Sequence, residues 1–231
     1  METIRFIFDN LPAIGQRTLE HVSIVGVAVL LAVATGVPIG IAITQNRRAA
    51  DIVLYIAAMI MTIPSIALFG VMIPVLSLIG QGIGYVPAVI AVLLYSQLPI
   101  IRNTYTAISN IDPALREAAR GMGMSPLERL RQVEIPLAVP VIMAGVRVAV
   151  VINIGITAIA TYIGAGGLGA FISRGISQTD PRQLITGAIA VSLLAIAADY
   201  VLLWVQHRLT PVGIRAPRLR ANRTVEGTAP A

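Results

Sequence analysis

Five runs of mostly apolar residues, at about 20–44, 51–76, 85–108, 139–163 and 183–207, constrain this chain more than any other feature. A segment that crosses the hydrocarbon core of a bilayer needs about 20 such residues. In lipid the backbone polar groups have no water to bond, so an apolar run of this length must satisfy them internally, as a helix. The expected fold class is therefore all-α and integral to a membrane, with about five spans. Composition agrees: 56% of the 231 residues are hydrophobic and 12% charged, roughly half the charged share of a soluble domain, with mean hydropathy +0.83. Pro38, Pro64, Pro74 and Pro99 lie within or near the ends of spans, where a kink is tolerated if neighbours satisfy the freed carbonyl. Splitting 66–90 into two short segments would give six spans; charge favours five.

All 17 basic residues are arginine. With the N-terminus outside, the inner segments carry eleven of them: Arg47, Arg48, Arg116, Arg120, Arg129, Arg131, Arg208, Arg215, Arg218, Arg220 and Arg223. The outer segments carry Arg5, Arg17, Arg174 and Arg182. Positive charge gathers on the cytoplasmic side of a membrane, so the N-terminus is expected outside and the C-terminus inside. The net charge of +6 thus reflects span flanks, and the sparse aromatics offer no base-stacking surface for nucleic acid. Cysteine is absent, which excludes disulfides and thiolate metal sites. His21 and His207 stand far apart in no ligand spacing and read as membrane-boundary residues. No cleavable signal peptide is expected, because the N-terminus is acidic and mixed. The organisation expected is an outer or interfacial segment 1–18, a membrane domain 19–208 and a basic cytoplasmic tail 209–231.

The polar segment of substance is 109–136. Asp112-Pro113 starts a helix, Asp as cap and Pro at the first position. Gly121 and Gly123 end it. Ser125-Pro126-Leu127-Glu128 has the capping-box pattern and starts a second short helix. Ile135-Pro136 closes the segment before the next span. On helix signals alone, an ordinary solvated loop is an equal reading.

Glu117-Ala118-Ala119, three residues, Gly123, nine residues, then Val133-Glu134-Ile135-Pro136 resembles the EAA motif of ABC importer permeases, which reads E-A-A, three residues, G, nine residues, I-x-L-P. Val133 and Ile135 depart from it, both remaining apolar. The stretches 62–65, 99–106, 134–147, 161–169 and 209–213 extend the resemblance to osmoprotectant permeases over residues 20 to 213. What the resemblance implies is a type I importer permease fold, without catalytic residues or cofactor of its own. It also implies a pair of ATP-binding subunits as partner, a second permease copy or homologue, and an extracytoplasmic binding protein. Cargo would be a quaternary ammonium compound such as glycine betaine, choline or carnitine. The 113–131 element would be the coupling helix, with Glu117 its anchor and Gly123 its bend. Methionine importer permeases share the Gly-rich stretch and the five-span plan, and are the nearest alternative.

Charges inside spans are costly and mark function or pairing. Arg102, Arg147 and Asp199 all fall roughly 9–12 Å below the inner surface at 1.5 Å per residue, so Asp199 is expected to pair with Arg147 or Arg102, as a gate or as a static tie. A secondary transporter coupled through Asp199 is the different-class alternative, against which the EAA spacing argues. Thr62, Ser65, Tyr95, Ser96, Gln97, Asn153, Thr157, Thr161 and Tyr162 are the candidate path-lining groups. Singly, each serves as well for bonding between helices. Gly164–Gly169 lacks the lysine of a phosphate loop, and reads as close packing or an outer turn rather than a nucleotide site.

Overall fold

The computed structural model describes residues 2–210, all of which fall into helices and short connections. A short helix α1 (Glu2–Asp9) precedes α2 (Leu11–Ala42), which ends in a 3₁₀ turn, Ile43–Gln45. The helix therefore begins nine residues before the predicted first span at 20–44. The polar residues of 11–20 disguise its beginning, yet the helix runs through them, and α1 packs on α10. Asn46 turns the chain: its Oδ1 accepts from the Arg48 and Ala49 N–H groups at 3.0 and 3.3 Å, capping α3 (Arg47–Thr62).

The predicted second span is not one helix. Ile63 is extended (φ −68°, ψ 125°), as the residue before a proline tends to be. The chain then restarts as α4 (Ser65–Ser77), bent by 97° from α3. The freed Ile63 carbonyl accepts a hydrogen bond from the Tyr95 hydroxyl of α5. The chain thus breaks at Ile63-Pro64, and again at 78–84, inside 66–90, where α4 ends. Among the described residues four helices are each long and apolar enough to cross a bilayer, and the bent α3–α4 pair makes a fifth span if counted as one.

Helix α5 (Tyr85–Ser109) is the central element, packed against α2, α3, α4 and α8. Its contact with α2 runs along Ala28, Ala32, Gly36 and Gly40, one small residue every four, all buried. Without a hydrophobic drive between helices in lipid, small residues permit the close approach that dispersion requires. A Cβ on Gly40 would lie 2.6 Å from Thr104 Cβ, and one on Gly145 of α8 2.6 Å from the Pro99 carbonyl oxygen of α5.

After α6 (Pro113–Gly121), helix α7 (Pro126–Arg129) passes through a π turn, Leu130–Glu134, straight into α8 (Ile135–Ile159). Ile135-Pro136 therefore does not close the segment. The Ile135 N–H bonds to the Leu130 carbonyl, five residues back. This one-residue slackening accommodates a proline in the first turn of α8 without breaking the rod. A 3₁₀ turn (Ala160–Ile163) and a glycine loop lead to α9 (Gly169–Ser177) and α10 (Pro181–Leu209). Helix α10 lies on the outside of the bundle against α8 and α9. The expected tail 209–231 lies outside the described residues beyond Thr210.

Candidate functional site

The 109–136 segment folds as two short helices joined at Gly123. Asp112 Oδ1 accepts from the Ala114 N–H at 2.9 Å, with Pro113 in the first turn. At the other end, the Gly123 N–H bonds to the Arg120 carbonyl (2.9 Å) and the Met124 N–H to the Ala119 carbonyl (3.2 Å). That is the Schellman pair, and it needs a left-handed residue between; Gly123 supplies φ +81°. Ser125 then opens the next helix with a complete capping box, its N–H donating to Glu128 Oε2 at 2.8 Å. Glu117 and Ala118 are exposed on α6, while Ala119 is buried. Val133, Ile135 and Pro136 are half-buried in the π turn and the start of α8. The segment thus offers an outward surface at Glu117 and Ala118 on a helix fixed from behind.

What fixes it is Glu134, which sequence reasoning passed over as the variable position of the motif. It is 6% exposed. Arg129 Nε donates to its Oε1 at 2.9 Å, and Arg116 Nε makes a charge contact with the same oxygen at 3.2 Å. Arg116 Nη2 also donates to the Ile108 carbonyl at the end of α5. The signal available in sequence was a lone acid between Val133 and Ile135 amid several arginines.

Deeper in the bundle, Arg147 on α8 and Asp199 on α10 pair through two hydrogen bonds, and Arg147 Nη1 reaches Gln206 Oε1 at 3.4 Å. Such a fork is the strongest form of carboxylate recognition. Arg102 on α5 is exposed and makes no ion pair among the described residues.

The candidate path residues divide by burial. Tyr95, Ser96, Asn153 and Thr157 are buried. Asn153 Nδ2 donates to Ser96 Oγ at 2.8 Å and to the Ala149 carbonyl, joining α8 to α5. Thr62 and Tyr162 are exposed; Ser65, Gln97 and Thr161 are half-buried. Gln97 Nε2 donates to Thr35 Oγ1 of α2 at 3.0 Å.

The glycine loop is held by α2. Glu20 Oε2 accepts from the Gly167 N–H (2.9 Å) and from Arg17 Nη1 (2.8 Å). The Leu168 N–H donates to His21 Nδ1 at 3.3 Å, so the proton sits on Nε2, which donates to the Ile154 carbonyl at 3.0 Å. His21 is fully buried, a role in packing that its reading as a boundary residue did not include. It was missed because its partners, 133 and 147 residues away, exist only in the fold. Gly164, Gly166 and Gly167 all have positive φ, and a Cβ on Gly166 would lie 2.5 Å from Glu20 Oε2. Close packing therefore explains this stretch. Outside the spans, Asp180 caps α10 through the Arg182 N–H (3.0 Å), and the Arg182 guanidinium holds its carboxyl down at about 2.

Comparison with known proteins gives a consistent picture. Residues 36–211 match the family model described as "Binding-protein-dependent transport system inner membrane component". The chain is 54% identical to the osmoprotectant import permease protein OsmW of Salmonella typhimurium, over 93% of this chain and 100% of that protein. It is 42% identical to the choline transport system permease protein OpuBB of Bacillus subtilis, over 92% of this chain and 95% of that one. Among solved structures, an inward-facing MetNI methionine ABC transporter chain superposes with TM-score 0.76 at 24% identity, covering 84% of this chain and 94% of its own. An amino acid ABC transporter chain gives 0.70 at 19%, covering 87% and 96%. At these identities the two structures speak for the fold alone.

Proposed function

Because the chain belongs to the family of binding-protein-dependent transport system inner membrane components, and is thus the permease of an ABC importer rather than an enzyme, we propose that its cargo is a quaternary ammonium osmoprotectant: glycine betaine, choline or carnitine. The observation that carries this reading is the end-to-end 54% identity with an osmoprotectant permease. Behind the methionine-type alternative stands a fold likeness at 24% identity. Family membership sets aside a secondary transporter driven through Asp199.

The geometry supports the following mechanism. An ATP-binding subunit docks on the exposed Glu117–Ala118 surface of α6, bounded by the Gly123 bend and braced by Val133, Ile135 and Pro136 in the rod beyond. Two ATP-binding subunits close on ATP and move α6; the motion biases the bundle between inward and outward access, as a switch with two discrete states requires. The path forms against a second permease copy or a homologue, and an extracytoplasmic binding protein delivers cargo. The N-terminus lies outside and the C-terminus in the cytoplasm, following the arginine count. Thr62, Ser65, Gln97 and Tyr162 face the path, while Tyr95, Asn153 and Thr157 hold the helices that form it. Arg147 and Asp199 tie α8 to α10, and Arg102 lies at the inner side, near the headgroups.

The test is uptake of radiolabelled glycine betaine, choline and carnitine into proteoliposomes containing the permease, its ATPase and its binding protein, with Glu117→Lys beside the wild type. ATP-dependent uptake of at least one of these compounds, lost in a variant that still inserts, is the expected result. Uptake that ignores ATP, or takes methionine alone, would overturn the reading.

A further inference from the structure

The Arg116–Glu134–Arg129 cluster stands directly behind the surface that α6 exposes. Arg116 precedes Glu117 in the chain, but their side chains part: Glu117 is exposed, while Arg116 turns inward to Glu134 and to the Ile108 carbonyl. One guanidinium thereby touches the last turn of α5 and the π turn that leads into α8. These two helices pack against each other along the bundle. Without this contact, α6 is held by the buried Ala119 and by two joints. On one side is the turn at Asn110–Asp112; on the other is Gly123 with its left-handed backbone. A push on α6 would then be absorbed by rotation at those joints. Glu134 closes the triangle from the far side, and its side chain is only 8% exposed.

We propose that Glu134 is a positioning residue for energy coupling: through Arg116 and Arg129 it locks α6 to α5 and α8, so that displacement of the docking surface is passed into the membrane bundle. This rests on the reading of α6 as the ATPase-docking element. Placement in the π turn fits the role. The helical ladder is one residue slack there, and a buried ionic contact stiffens the point at which the rod would otherwise flex.

A buried carboxylate with two arginine partners also stabilises the fold, so the experiment must separate the two roles. A lone Glu134→Gln leaves two cations facing a neutral group. Replacing all members together by apolar residues of similar volume, Arg116→Met with Arg129→Met and Glu134→Met, removes the charges and is nearly neutral for stability. Uptake of labelled choline and glycine betaine is measured with ATP hydrolysis in the same proteoliposomes, along with thermal stability and retention of the ATPase. The expected result is that Glu134→Gln lowers cargo moved per ATP by about tenfold. The triple variant recovers stability and keeps its ATPase, but moves equally little per ATP. If cargo per ATP returns with stability in the triple variant, the cluster is a structural tie only and the proposal is overturned. If the wild type hydrolyses ATP without moving either compound, the functional reading fails first, and the proposal falls with it.

Discussion

Arg147 and Asp199 meet in a planar fork, Nε to Oδ1 and Nη2 to Oδ2, each at 2.8 Å, across the seam between α8 and α10. Helix α10 otherwise holds to the bundle through small and aliphatic side chains such as Val191, Leu194, Ala195, Ala198 and Leu202. The fork, with the longer Arg147–Gln206 hydrogen bond beside it, is therefore directional in that seam and fixes both rotation and height of α10 on α8.

Removing one member leaves the other charge unpaired inside the span. Asp199→Asn and Arg147→Gln are each expected to destabilise the protein by about 2 kcal/mol, read as a lowered midpoint of thermal unfolding in detergent. The exchange Arg147→Asp with Asp199→Arg recovers a large part of that loss. If both single variants keep the wild-type midpoint and full transport, the pair contributes neither stability nor gating.

The small-residue stripe makes an independent prediction. Gly40→Val inserts atoms where a Cβ already stands 2.6 Å from Thr104, and overpacking of this kind costs about 1–3 kcal/mol. Gly26 lies on the same helix with nothing within 4 Å, so Gly26→Ala leaves the midpoint unlowered and raises it slightly, alanine being the better helix former. Equal effects of the two substitutions on unfolding would refute close α2–α5 packing as the cause.

His21 bridges three elements as a neutral ring. His21→Leu deprives the Leu168 N–H of its acceptor and the Ile154 carbonyl of its extra donor, a loss of about 1–3 kcal/mol for buried groups. The effect is expected to localise. Limited proteolysis should cut the 164–169 loop of His21→Leu faster than that of the wild type, while the 109–136 segment is cut at the same rate. Equal cutting of the loop in both proteins would rule out the latch.

Acid should open the start of α10 only at extreme pH. The Asp180 carboxyl is depressed from 3.8 to about 2, chiefly by the Arg182 hydrogen bond. A group depressed on folding contributes stability above its unfolded value and loses it as pH falls through its folded value. The cap is therefore intact from neutral pH down to 3.8, and is lost between there and about 2. Amide exchange at residues 182–184, corrected for its intrinsic pH dependence, should stay protected through pH 4 in the wild type. It should already be faster at pH 7 in Asp180→Ala.

Much was legible along the chain itself. The apolar runs fixed the class, since lipid allows an exposed backbone few alternatives to the helix. Caps and turns were equally local: Asp112, Gly123 and the Ser125–Glu128 box each act within a few residues of their own position, and all appear where their spacing placed them. The spacing from Glu117 to Pro136 carried the family, because it is a pattern of positions rather than of contacts.

What the sequence could not decide are the matters settled between segments. Whether Ile63-Pro64 kinks a span or breaks it depends on who satisfies the freed carbonyl, and Tyr95 does so from 32 residues away. Whether Ile135-Pro136 ends a loop or sits in an unbroken rod depends on a π turn whose geometry is set by the helix on either side. Whether Asp199 pairs with Arg147 or Arg102 was open, since both stand at similar depth; only the packing of α10 on α8 chooses. His21 and Glu134 were unremarkable as letters, because burial and partnership belong to the fold. Periodicity, capping and hydropathy act over a few residues and survive in a linear reading. The pairing of buried polar groups is a long-range choice, made when helices seek partners for charges and hydrogen bonds that lipid will not provide.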